Sequence, residues 1–210
     1  HRFASSYRNQ WAAIPGHYNN YLFAYDFNMS EFNSGLGLLF GRESAGTGNL
    51  GSTEIGLLYS YHFRIDKKVF IQPGIKFNYI TRSVDFNKLI FNDQLASGGT
   101  NPTSDDIALD NVNYMDISTG VIVFSEKFWG GLSFNHLNTP NQSLLNGESE
   151  LPMKFSAHGG YKFELSEGGR KTLTTNYLNV ALHYKAQQRY DQLDIGLYYT
   201  RDPYVFGLWY

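Results

Sequence analysis

Apolar residues alternate with polar or small ones at a period of two along nearly the whole chain. No run reaches the roughly 18 apolar residues of a membrane-spanning helix, so that structure is excluded. A period of two is the signature of strands with two different faces, because successive side chains of a strand point to opposite sides. The clearest case runs from Thr53 to Ile65. Ile55, Leu57, Tyr59, Tyr61, Phe63 and Ile65 share one face, and Glu54, Gly56, Leu58, Ser60, His62 and Arg64 the other. Val69, Ile71, Pro73, Ile75, Phe77 and Tyr79 repeat the pattern against Phe70, Gln72, Gly74, Lys76 and Asn78. The polar Asp66-Lys67-Lys68 between the two runs has the chemistry of a hairpin turn.

The same reading predicts strands at Arg2–Trp11, Asn20–Asn28, Ser34–Gly41, Thr53–Ile65, Val69–Thr81, Tyr114–Phe124, Trp129–Leu137, Lys154–Leu165, Asn176–Gln187, Gln192–Thr200 and Tyr204–Tyr210. No segment has a helical period and no linker divides the chain, so residues 1–210 form one all-β domain. Short connections at Met29–Asn33, Asp66–Lys68, Ser125–Phe128 and Arg201–Pro203 alternate with long ones at Arg42–Ser52, Arg82–Asn113 and Asn138–Met153. Ser166–Thr175 is long for a turn and Gln188–Asp191 short for a loop. Short turns on one side and long loops on the other describe an antiparallel up-and-down transmembrane barrel of the outer-membrane type.

Composition separates this from a soluble β-sandwich. Aromatics are 17% of residues, whereas charged residues are also only 17%, below the roughly 25% of a soluble domain. Aromatic rings cluster at predicted strand ends, as in Tyr18 and Tyr21, Tyr59 and Tyr61, Phe128 and Trp129, Tyr198 and Tyr199, Trp209 and Tyr210, which is where barrels meet the membrane interfaces. The mean hydropathy of -0.36 carries little weight, since alternating strands average out. The chain opens at His1 in strand-like sequence without a signal-peptide pattern, and eleven predicted strands is an odd number where single-chain barrels use an even one. A barrel of 12 or more strands, with strands outside these residues at both ends, is the expectation, because an open sheet edge in lipid leaves backbone groups unpaired.

Several function classes find no support. A net charge of -2 offers no basic surface for nucleic acid. The lack of Cys removes thiolate metal sites and a Cys nucleophile. Gly46-Thr-Gly48-Asn-Leu-Gly51 matches a dinucleotide-binding pattern, but a strand follows it where a helix is needed, so it reads as a loop. His62, His158 and His183 sit on separate strands without ligand spacing, and no nucleophile elbow or catalytic carboxylate pair stands out. Neither a cofactor nor enzymatic activity is expected. Glu54, His62, Arg64, Lys76, Asp116, Lys154, His158, Lys162, Glu164, His183, Lys185 and Asp194 fall on the inward face with both signs mixed, as in a neutralised lumen. A selective pore lining is the alternative, and it would call for a ring of one sign.

Short motifs recur in a fixed order: Tyr7-Arg8-Asn9-Gln10-Trp11, Ile14-Pro15-Gly16, Tyr25-Asp26, Gly35-Leu36-Gly37, Tyr59-Ser60-Tyr61, Pro73-Gly74-Ile75, Phe91-Asn92-Asp93-Gln94 and Trp129-Gly130-Gly131-Leu132-Ser133. His136-Leu137, Pro140, Leu151-Pro152-Met153-Lys154 and His158-Gly159-Gly160-Tyr161 complete the series. Together they resemble the PorP/SprF family of outer-membrane proteins of the type IX secretion system, over essentially the whole chain. The family's leading signal peptide and Asn-Pro-Ala segment are absent here, and the family continues with further strands past the equivalent of Tyr210. The resemblance implies an outer-membrane component of a secretion and gliding apparatus, supporting export or surface attachment of particular secreted proteins or adhesins. Its implied partners are that cargo, periplasmic or lipoprotein components of the complex, and outer-membrane lipid. No catalytic residues come with it. A porin or substrate channel is the rival reading, and a barrel enzyme the third.

Two groups of residues are candidates for function. Tyr7, Arg8, Asn9, Gln10 and Trp11, with Trp129, Gly130, His136 and Pro140, are family-motif positions of structural or partner-binding role. Trp11 suits an interface anchor and Arg8 an ion pair within the lumen. The second group is the long loop Arg82–Asn113, with Phe86, Leu89, Ile90, Phe91, Asp93 and Gln94 as partner-facing candidates, then Gly98-Gly99 and Asp105-Asp106. It either binds a partner from outside or folds inward as a plug.

Overall fold

The computed structural model describes residues 1–96, 98, 111–144, 147–165 and 176–210. Twelve strands form one antiparallel sheet: β1 (Arg2–Gln10), β2 (Tyr18–Met29), β3 (Ser34–Ala45), β4 (Leu50–Tyr61), β5 (Phe63–Asp66), β6 (Val69–Ser83), β7 (Asn111–Phe124), β8 (Phe128–Asn135), β9 (Lys154–Glu164), β10 (Asn176–Gln187), β11 (Tyr190–Arg201) and β12 (Tyr204–Trp209). Each strand pairs with the next in sequence, except that β4 and β5 both pair with β6. Those two are one stave in a common register, interrupted at His62, whose backbone N–H turns away to the Asn33 carbonyl at 2.7 Å. The Thr53–Ile65 strand is therefore real but broken, with a bulge near Ile65. β1 and β12 have one neighbour each, so the described wall is not closed.

Burial is inverted relative to a soluble protein. Ser34, Asn78, Asp116, Ser118 and Ser156 are buried, whereas the buried apolar side chains of the strands, among the described residues, are Ile80 and Ala181. Ile55, Leu57 and Tyr59 of β4 are exposed, as are Leu38 and Phe40 of β3, Phe77 and Tyr79 of β6, and Leu193, Ile195 and Leu197 of β11. The partner positions Gly37, Gly56, Asn78 and Asp116 point the other way. A wall with its apolar face outward and polar face inward is stable only where lipid covers the outside. One cavity is lined from Arg2 of β1 round to His158 of β9, so the sheet curls with its polar face concave.

The apolar belt does not follow the hydrogen-bonded rows. The row through Leu57 passes Phe77 and Ile117 and leaves the sheet where β8 ends. The outward apolar residues of β10 and β11, such as Leu182 and Ile195, share a row with Val123, nearer the short turns. A level belt across a drifting row is the stagger of tilted barrel strands.

Three expectations change. Arg42–Ser52 is not a long loop: Arg42, Glu43 and Ser44 pair with Thr53, Ser52 and Gly51, and the turn is only residues 46–49. Polar residues stay in strand there because the sheet continues past the apolar belt. Gly46 (φ 77°) and Asn49 (φ 49°) supply the left-handed conformations that close so tight a turn. A short helix, α1 (Asn92–Ala96), stands where no helical period was read, one turn being too short to show one. Finally, Tyr18, Trp129, Tyr198 and Trp209 belong to the inner face and not to a lipid-facing girdle. Trp129 lies over Gly160 and against the His158 ring, with centroids 5.4 Å apart. Trp209 covers Gly196 and donates its indole N–H to the Tyr198 hydroxyl at 2.5 Å. Glycine on one strand is what leaves room for the ring from the next.

Candidate functional site: the inner wall and its strap

The register places eleven of the twelve predicted lumen-facing charges and imidazoles on the concave side, and His62, at the break in the stave, lines the cavity there. They are zoned. Glu43, Glu54 and Asp116 stand toward the loop end, and Lys76, His62 and His158 further down. Asn78 donates to Glu54 Oε2 at 3.2 Å, and its Oδ1, over Gly56, has no partner among the described residues. Tyr18 donates to Glu43 at 3.0 Å. His158 and His183 are direct cross-strand partners with rings 6.2 Å apart, and Asp194 is next in the row, 3.8 Å from His183 and 3.5 Å from Lys185. Among the described residues no group of three or more His, Cys, Asp or Glu could hold a metal ion.

The chain between β8 and β9 folds back along this wall as a strap. His136 leaves the strand at φ 59° and sets Nδ1 2.9 Å from Asp116 Oδ1, a carboxylate only 1% exposed. A left-handed non-glycine residue is strained, and the contact with a buried carboxylate holds it. Leu137 N–H then donates to Ile117 O, Asn138 Nδ2 to Met115 O, and Asn138 Oδ1 accepts from Ile117 N–H. These bonds satisfy β7 beyond the end of β8, which otherwise would present bare backbone. Pro140 is buried, and its carbonyl accepts from Leu151 N–H to close a small hairpin. Asn141 Oδ1 accepts from both Ser143 and Ser149 N–H inside it. Arg82 of β6 donates to Gln142 Oε1 at 2.7 Å, and Gln187 of β10 to the Pro152 carbonyl at 2.9 Å. Gln142 shares a pocket of about 230 Å3 with Tyr18, Glu43, Ser52 and Tyr114, so the strap reaches inward staves as far as β2.

The structure thus brings His136 and Pro140 together in the strap and sets Trp129 on the same wall, with Gly130 beside it on the outer face. It does not bring Tyr7–Trp11 to them, since β1 and β8 are not neighbours. Tyr7 stacks on Tyr21 at 4.9 Å on the outer face, and Asn9 donates to Asn19 Oδ1 at 2.8 Å. Arg8 faces inward beside the Gln10 amide and makes no ion pair among the described residues. Trp11 ends the strand at φ 57° and is exposed. Sequence reading missed Asp116, Arg82 and Gln142 as partners of the motif, because contacts across strands carry no local signal.

In the long loop, Asp85 caps a 3-10 turn at Phe86–Lys88, and the Lys88 ammonium 2.9 Å away holds its carboxyl below the usual carboxylate range. Leu89 packs on Gly48 of the neighbouring turn, where a Cβ would lie 2.6 Å from its Cδ2. Asp85 N–H donates to Gly48 O at 2.8 Å. Phe86 and Phe91 are half-buried, Asp93 Oδ1 accepts from Gln94 N–H, and Gln94 Oε1 from Phe91 N–H. The outward apolar surface is Ile90, 70% exposed, with Leu95. Gly99, Asp105 and Asp106 lie outside the described residues.

No curated protein and no solved structure matches the chain. The family model described as type IX secretion system membrane protein PorP/SprF matches residues 1–210. With a curled wall that is apolar outside and polar inside, and with a family match over its full length, the chain belongs to the PorP/SprF family of type IX secretion membrane proteins and resides in the outer membrane.

Proposed function

We infer that the protein is a non-enzymatic docking component of the secretion apparatus, supporting export or cell-surface attachment of one or a few secreted proteins or adhesins, including those used in gliding motility. Its long loops face outward and meet the cargo, and its short turns meet periplasmic or lipoprotein components. The observation that carries this reading is the strap. Residues 136–144 and 147–153 are pinned across the inner wall at Asp116, Arg82 and Gln187, which suits a barrel that presents a surface better than one that passes solute freely. Ile90, Leu95, Trp11 and Ile14 add exposed apolar side chains on the same end. A porin is the rival, and two measurements separate them. Deleting the gene should abolish secretion or display of specific type IX cargo, while the purified barrel should be silent in planar bilayers. Unchanged display of every cargo together with a large steady conductance would establish the porin instead.

A further inference from the structure

A groove follows one hydrogen-bonded row around the inner wall. Its floor is Gly35, Ser60, Gly74, Gly120, Ser133 and Ser156, cross-strand partners in succession from β3 to β9. Leu58, Lys76, Ser118 and Asn135 rise on the loop side, and His62, Gln72, Ile122 and His158 on the other. These walls and the floor as far as Ser133 line an open cavity of about 880 Å3, inside the roughly 300–1,000 Å3 of small-molecule sites.

A floor of small residues does not by itself imply a ligand, but two further features do. Ser118 is 6% exposed and lines the cavity, yet its hydroxyl has no hydrogen-bond partner among the described residues. A buried polar atom left unmade calls for a missing partner. Lys76 also lines the cavity, directly opposite Ser118 across the β6–β7 pair, and makes no ion pair among the described residues. Of the carboxylates nearby, Glu54 interacts with the Lys76 charge without forming an ion pair. Asp26 is held by Arg2 at 2.8 Å, Asp116 by His136, and Glu54 accepts from Asn78. His62 and His158 supply further donors along the opposite wall. Arg2, Asp26 and Lys76 are the charged residues of the lining, and with Arg2 paired to Asp26 the lining's net charge is positive.

We propose that this groove binds a small solute bearing a carboxylate or phosphate. Lys76 pairs with the oxyanion, Ser118 donates to it, and the Gly/Ser floor lets the ligand lie against the sheet. Charge-assisted bonds of this kind are the strong ones in a shielded site. The inference needs the barrel wall and not the cargo role, and binding is read on the purified protein, so failure here leaves the secretion reading untouched.

The test is calorimetric titration of the full-length protein in detergent at low salt with citrate and, separately, glucose 6-phosphate. One probe should bind saturably, and which one binds tells a carboxylate from a phosphate ligand. Lys76→Met should weaken it roughly tenfold or more, the loss of a charge-assisted contact. Gly74→Val should do the same without touching a charge. A Cβ at Gly74 meets only Tyr59 O at 3.4 Å and Ser60 Cβ at 3.7 Å, so the sheet accepts it while the groove narrows. Lys127→Met, at the short β7–β8 turn, should leave affinity within about twofold. Heat-modifiable migration confirms that each variant is folded, and Ser118→Ala replaces any that is not. Absence of saturable binding by both probes, or binding that folded Lys76→Met and Ser118→Ala leave unchanged, overturns the proposal.

Discussion

An arginine placed on the outer face should be tolerated or rejected according to depth. Leu57 is 49% exposed, and its row holds Leu38, Phe77 and Ile117, without a polar group among them. A guanidinium there must reach the polar rim marked by Arg42, Thr53 and Thr81. Thr53 is four residues along the strand, about 13 Å at the usual strand rise, beyond the span of one side chain. Leu57→Arg should therefore cost about 2–4 kcal/mol, the range for arginine at a barrel's mid-plane, and Thr53→Arg on the same face about 0–1 kcal/mol. At roughly 1.4 kcal/mol per decade, the first shifts the folding equilibrium about 30- to 700-fold. Urea titration of the full-length protein in lipid vesicles, followed by tryptophan emission and heat-modifiable migration, reads both. Equal costs for the two variants, or Leu57→Arg within about 0.5 kcal/mol of wild type, would refute a lipid-facing surface at Leu57.

Other consequences follow from the inner wall. Asp116→Ala removes the contact that holds His136, so limited proteolysis should cut within 136–153 faster, with stability lower by about 1–3 kcal/mol; an unchanged cleavage rate would mean that the strap is held without it. Gln142→Ala should leave stability within about 0.5 kcal/mol of wild type but raise bilayer conductance if the strap obstructs the lumen. Gly160→Val puts a Cβ 2.8 Å from Trp129 Nε1, so the indole must move, at about 1–3 kcal/mol and with a change in tryptophan emission. At Gly130 a Cβ meets only His158 O at 3.6 Å, and Gly130→Ala should lack both effects.

Periodicity alone was enough to establish the strands, their order and which residue of each pair meets lipid. A strand's two faces are written into consecutive residues, and an up-and-down sheet joins strands in chain order, so neither needs distant information. Ile55 and Leu57 are outside and Glu54 and Gly56 inside, as their alternation requires. Strand ends were less legible: Arg42–Ser44 looks like loop by polarity, yet it is strand because Gly51–Thr53 lies opposite. Trp129 and Trp209 looked like interface anchors by type, and only the glycines across from them, Gly160 and Gly196, turn them inward. The strap and the groove belong wholly to the tertiary structure. His136 meets Asp116 across 20 positions and Arg82 meets Gln142 across 60, while the groove floor takes one Gly or Ser from each of six staves. Register, tilt and curl decide such meetings, and they arise only when all the strands are assembled, since no single segment carries the geometry of its neighbours.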